Sequence, residues 1–257
     1  YAFLLPIPEK TQKQHGILLF PYNSCCLPPK KPPPGTAPPP EPVVFTVPSA
    51  GVPKLGSISG TLAQSASAVS DDYIAFFLWA LKARFKASQN NIPITLADEK
   101  LFSSAQKQSR HPNEKAVWVK AFRGSKEGHL YFLPNGILWA FKKPLLFLPH
   151  QKIAAISFTS VLTRTFNLTM DIYMDGKTGE QNEQLEFSML DQEDFENINH
   201  YIHRYGLQDR SMTEQHKAKA FHATVTKDEN GNIVSRTEHS ELGKPGLSEG
   251  NKSLEHG

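Results

Sequence analysis

Three groups of side chains in this 257-residue sequence have the type and spacing to bind something. Glu196, His200 and His203 stand at i, i+4 and i+7, so on a helix they share one face, where a carboxylate and two imidazoles can hold a divalent cation. No further ligand lies near them in sequence, and a solvated polar face is the plainer reading. Lys120, Arg123 and Lys126 surround a turn and could meet an anionic lipid headgroup. The strand that follows, however, brings His129 and Tyr131 where a lipid reader would add more cations. Lys82, Arg84 and Lys86, with help from Lys10 and Lys13, make a modest footprint for the phosphates of double-stranded DNA. Cations at a helix C-terminus also serve the helix dipole, so the footprint has a structural reading as well. Gly-rich phosphate loops, nucleophile elbows and paired-cysteine motifs are missing. The sequence therefore nominates no catalytic residue, cofactor or metal, and we expect a protein that is not an enzyme. Cys25 and Cys26 are adjacent, cannot frame a disulfide scaffold, and fit a reducing compartment.

The elements that must position these groups centre on residues 116–206. Leu130 and Phe132, with Leu138 and Ala140, alternate with His129, Tyr131 and Trp139, which predicts two strands. Asn135-Gly136 reads as the pair of positive-φ turn residues between them, with Pro134 leading in. Ala116–Phe122, Pro144–Pro149, Lys152–Phe158, Thr163–Met174 and Gln184–Met189 add five more strands, the last two flanking a turn at Asp175-Gly176. A helix closes the stretch: Asp191 caps it, Glu193 and Asp194 put negative charge on its first turn, and Gly206 ends it. Phe195, Ile198, Ile202 and Tyr205 make its apolar face. Seven antiparallel strands and a plugging helix predict a pleckstrin-homology (PH) barrel.

Residues 1–105 show a less regular version of the same plan. Ala2–Ile7, Gly16–Tyr22 and Val43–Val47 read as strands, interrupted by the proline-rich insertion Pro28–Pro42, which cannot donate ladder hydrogen bonds. A helix capped by Ser70 or Asp71 runs to about Ala87, with Ile74, Phe77, Leu78, Leu81 and Phe85 on its apolar side, and Ile92–Leu96 adds a strand. The expected fold class is mainly β with some helix: two tandem PH-like barrels, each closed by a C-terminal helix. The modules are residues 1–105 and 116–221, with a polar junction at 106–115 and a disordered tail at 222–257. Ser211 and Glu214 are spaced as a capping box for a helix over Asp209–Phe221. With 39 % hydrophobic and 21 % charged residues, both modules can bury a core, and the net charge of +3 selects no class of partner. The longest uninterrupted apolar run, Tyr73 to Leu81, is too short to span a bilayer, and no membrane association is expected. Tyr1 in place of Met marks the chain as a fragment.

Five ordered motifs carry a family resemblance: Gly128–Leu138, Phe141–Phe147, Ile156–Ser160, Thr165–Leu168 and Phe187–Phe195. Together they resemble the second PH-like module of fungal histone chaperones of the Rtt (regulator of Ty transposition) type. A looser likeness reaches the middle domain of the Pob/SSRP subunit of the FACT complex. The resemblance implies a nuclear, non-enzymatic chaperone that binds histone H3–H4 and favours newly made, acetylated H3. It also implies work in nucleosome assembly during replication and at silent chromatin, contacts with other chromatin-assembly factors, and oligomerisation through a segment upstream of this chain. The alternatives are a FACT-type remodelling module and a phosphoinositide-binding PH protein. The implied histone surface joins the turn into the long strand, with Val161, Leu162, Thr163 and Thr165, to Gln192 and Phe195 at the start of the closing helix.

Overall fold

The computed structural model describes residues 1–8, 10, 12–21, 34–35, 41–49, 63–66, 72–161, 164–173, 182–207, 225–227 and 233–236. Its strands are β1 (Ala2–Pro6), β2 (Gln14–Leu19), β3 (Val43–Pro48), β4 (Ile94–Leu96), β5 (Val119–Arg123), β6 (Lys126–Leu133), β7 (Gly136–Ala140), β8 (Leu146–Pro149), β9 (Ile153–Thr159), β10 (Thr165–Tyr173), β11 (Asn182–Asp191), β12 (Val225–Lys227) and β13 (Ile233–Arg236). The helices are α1 (Ala63–Ala66), α2 (Tyr73–Ala87) and α3 (Phe195–Arg204).

Strands β5 to β11 form one antiparallel sheet in the order β8-β7-β6-β5-β11-β10-β9. The first and second halves join through the pairing of Ser188 with Phe122, and α3 seals the barrel with Ile198, Tyr201 and Ile202, all fully buried. This is the seven-stranded PH architecture that the strand spacing predicts. Strands β1 to β4 make a second sheet in the order β3-β2-β1-β4, with β4 parallel to β1. Helix α2 lies against this sheet, its N-terminus capped by the Asp72 carboxylate, which accepts from the Ile74 amide at 3.1 Å. One strand, β4, follows it. The fold is thus mainly β, with tandem PH-like modules of unequal regularity.

The β6–β7 hairpin departs from the sequence reading in two ways. Leu133 pairs with Gly136, so the two turn residues are Pro134 and Asn135, and Asn135 does not take a positive φ. Proline's fixed negative φ excludes the mirror-image turn that Asn-Gly would favour. Gly136 is needed for another reason: a Cβ there would sit 2.3 Å from the Leu148 carbonyl oxygen. The second departure is Trp139. The register pairs it with Leu130, which places it inside the barrel with Phe132 and Ile137 rather than beside His129 and Tyr131. Leu138 and Ala140 point the other way, into a second core with Tyr131, Phe147 and the first module's Phe3, Leu5, Leu18 and Phe20. Both faces of β7 are buried, which is why its sequence is apolar throughout.

Tyr1–Ser211 is one compact unit and Met212–Gly257 a second. In the second, β12 and β13 pair as an antiparallel hairpin, a local exception to the disorder expected of residues 222–257. Val225, Thr226, Ile233 and Val234 supply β-branched residues, a strand signal that bulk composition hides. Cys25, Cys26, Asp175-Gly176, the segment Asp209–Phe221 and most of the Pro28–Pro42 insertion lie outside the described residues.

Candidate binding site at the barrel rim

The closing helix begins where the long strand begins, and one hydrogen bond ties them together. Asp191 pairs with Thr165 at the end of the β10–β11 ladder, and the Gln192 amide donates to the Arg164 carbonyl at 3.0 Å. Gln192–Asp194 forms a 3₁₀ turn, capped by the Asp191 carboxylate accepting from the Glu193 amide at 3.0 Å. The chain then enters α3 at Phe195. Its half-buried ring packs edge-on against Phe158 at 5.0 Å and Phe166 at 5.5 Å, and Val161 packs on the same core. The structure therefore brings Val161, Thr165, Gln192 and Phe195 to one rim. Leu162 and Thr163 lie outside the described residues.

Two features of this rim were not read from the sequence. Phe166 pairs with Leu190 but Leu168 with Phe187, so Ser188 and Met189 together face Asn167 across a β-bulge. Met189 takes a φ of +61°, a strained region for a non-glycine residue, and its side chain is 56 % exposed. The Asn167 carboxamide oxygen accepts from the Met189 amide at 3.3 Å, and the Thr165 hydroxyl approaches the Met189 sulfur at 3.9 Å. Ser160, where the chain leaves β9, sits at φ +61° as well. The second feature is a clamp. The Asp194 carboxylate accepts from the Ser104 hydroxyl and the Ala105 amide, both at 2.7 Å. Asn197 donates to the Ser103 carbonyl at 3.0 Å, and Gln106 to Glu193 at 2.9 Å. The polar junction thus holds the turn that carries Gln192. Burial pushes the Asp194 pKa up despite these two donors.

The Gln192 side chain is half-buried, and its Oε1 is shielded from solvent with no hydrogen-bond partner among the described residues. An acceptor without a partner on a half-buried side chain can take a donor from outside once the carboxamide turns towards solvent. Exposed Glu193 and Glu196 flank it with negative charge.

The remaining sequence candidates fall elsewhere. Glu196, His200 and His203 are exposed on α3, and no group of three or more His, Cys, Asp or Glu among the described residues could hold a metal. Lys120 pairs with Glu127 at 2.8 Å and Lys126 donates to the Lys143 carbonyl at 3.2 Å, while Arg123 is half-buried near Glu183. Lys10 and Lys13 line a cleft of about 330 Å³ with His111 and Lys115, where Lys13 is paired with Glu114. Lys82 and Lys86 line a different groove, on α2, to which Arg84 does not contribute. The spacing explains the split: i and i+4 share a helix face, and i+2 falls on the opposite side.

Comparison with known proteins bears on the same region. Residues 117–211 match the family described as histone chaperone Rttp106-like, middle domain. The chain is 48 % identical over 229 residues to the histone chaperone rtt-106 of Neurospora crassa, covering 85 % of this chain and 49 % of that protein. It is 48 % identical over 228 residues to histone chaperone RTT106 of Chaetomium globosum, with the same two coverages. For the Coccidioides immitis protein of that name the identity is 37 % over 247 residues, 94 % of this chain and 51 % of the relative. The chain spans about half the length of the curated relatives it matches.

Proposed function

Residues 117–211 belong to the histone chaperone Rttp106-like middle-domain family, and on that premise we propose that this chain is a non-enzymatic histone-binding module. Its ligand is H3–H4, and its docking surface is the rim of Val161, Thr165, Gln192 and Phe195, to which the sequence resemblance adds Leu162 and Thr163. The observation that supports the reading is the unpartnered Gln192 Oε1 on the turn that leads into Phe195, whose ring packs on Phe158 and Phe166. A histone lysine reaching this point brings an N–H donor on an apolar stem. Acetylation suits it better than the free amine, because the amide N–H still donates while the cost of stripping water from an ammonium disappears. Glu193 and Glu196 attract the surrounding basic residues of the histone and raise the rate of encounter. The module works in the nucleus, in nucleosome assembly linked to replication and at silent chromatin.

The phosphoinositide alternative loses support at the first turn of the barrel. Lys120 and Lys126 are already engaged by Glu127 and the Lys143 carbonyl. Retention of purified H3–H4 and H2A–H2B by the immobilised chain at moderate salt, with anionic liposomes in parallel, tests the proposal. Selective retention of H3–H4 is expected. Equal retention of both histone pairs, or liposome binding without histone binding, overturns it.

A further inference from the structure

Helix α2 carries far more apolar surface than its sheet can cover. Its sequence from Tyr73 to Leu81 is apolar without a break, yet none of its fifteen residues is fully buried. Ile74, Phe77, Leu78 and Leu81 pack on Leu4, Ile17, Phe45 and Val47 of the sheet. A helix that is apolar all round is ordinarily enclosed on all sides. Here a second stripe, Ala75, Leu78, Trp79, Lys82, Ala83 and Lys86, lines a shallow groove of about 490 Å³. Alanines at positions 75 and 83 leave room on either side of the Trp79 ring, which is only half-buried. The Phe76 ring holds the indole from the flank at 5.7 Å. At the C-terminal end of the stripe the apolar lining gives way to Lys82 and Lys86, exposed and without an ion pair among the described residues.

We propose that this groove docks an amphipathic helix of a partner protein whose apolar residues meet Leu78 and Trp79 and whose acidic residues, one turn further on, meet Lys82 and Lys86. Charge complementarity selects the occupant. A basic histone segment would be repelled by the two lysines, so this surface is distinct from the rim around Gln192. A DNA duplex would use the lysines but leave the Trp79 stripe wet, and two cations on one face give it a small footprint. An acidic amphipathic helix satisfies both halves of the groove, laying apolar anchors at i, i+4 and i+7 along the exposed face of α2. The proposal does not depend on histone binding and can fail or hold independently of it.

Trp79 is its own reporter, since Trp118 and Trp139 are 8 % and 1 % exposed. The probe is a synthetic amphipathic peptide of roughly 18 residues, above the length at which an isolated helix is marginal, with leucines at the anchor spacing and glutamates beyond them. Titrated into the whole chain, it should shift the Trp79 emission to the blue in a saturable way, and a scrambled peptide of the same composition should not. The double substitution Lys82→Glu/Lys86→Glu, at exposed positions and compared with the parent by melting because Lys86 also serves the helix dipole, should weaken binding about tenfold or more. A peptide with lysines in place of the glutamates should then bind the double variant better than the parent. Absence of a saturable shift, unchanged affinity in the double variant, or displacement of the peptide by duplex DNA that leaves Trp79 unprotected would each overturn the proposal.

Discussion

The two long helices of this protein invert the usual relation between composition and burial. Helix α3 is mostly polar, yet Ile198, Tyr201 and Ile202 are fully buried. Helix α2 is richer in apolar residues and buries none of them completely. The difference is in the spacing. The apolar positions of α3 fall on one stripe that fits the open end of a barrel, while those of α2 run around the whole helix and only one side can touch a sheet. The α3 side also gains an anchor that α2 lacks. The Tyr201 hydroxyl lies 2.6 Å from the Leu133 carbonyl and 2.6 Å from His150 Nε2. Its single proton goes to the carbonyl, so His150 Nε2–H donates to the tyrosine oxygen.

The comparison is broken most directly by truncation. Ile202→Ala should cost about 2–5 kcal/mol, and Leu81→Ala on α2 only about 1 kcal/mol, because its site is already partly wet. Equal costs in urea denaturation would mean that α2 is as well enclosed as α3. Added volume gives the next contrast. A Cβ at Gly128 would meet the Trp139 ring at 2.5 Å, and that ring is fixed in the barrel core. Gly128→Ala should therefore destabilise by about 1–3 kcal/mol. Gly16→Ala meets only the outer edge of the half-buried Phe141 ring, which can swing aside, so its cost should be smaller.

Acid should probe the α3 anchor. Burial lowers the His150 pKa from 6.5 to about 4. The unfolded chain therefore binds the proton more readily, so the stabilising contribution is complete above about pH 6.5 and is lost as pH falls towards about 4. Stability measured against pH should show this loss in the parent, and His150→Asn should flatten it. Helix α2 gives a smaller effect than a core aromatic would: Trp79→Ala should cost about 1 kcal/mol, short of the roughly 3–5 kcal/mol of a fully buried ring. A larger loss would show that the indole is part of a core.

How far the sequence reveals this structure follows the same division. The barrel is legible strand by strand, and so is the N-cap at Asp191, because periodicity and turn chemistry there agree with the fold. The face of Trp139 was misread because β7 is buried on both sides, which removes the polar residues that would mark a register. Of the rim, Gln192, Phe195, Val161 and Thr165 came from motif resemblance; the Gln192 amide bonds the Arg164 carbonyl next to Thr165, and Val161 and Phe195 pack on the same core. The Met189 bulge and the Asp194–Ser104 clamp were not legible. A bulge is a mismatch between two strands, and the clamp spans 90 residues of sequence, so neither leaves a local pattern. The basic residues at 82, 84 and 86 looked like one patch in sequence, and helical geometry divides them.

The central proposal is that the rim around Gln192 receives the histone, and Gln192→Ala tests it most directly. Removing a buried acceptor that lacks a partner should leave the melting temperature unchanged or slightly raised. The same substitution should weaken H3–H4 binding about tenfold, the equivalent of one hydrogen bond worth about 1.4 kcal/mol. Affinity and melting measured side by side on parent and variant decide the matter. A folded variant that binds H3–H4 as tightly as the parent would contradict the account.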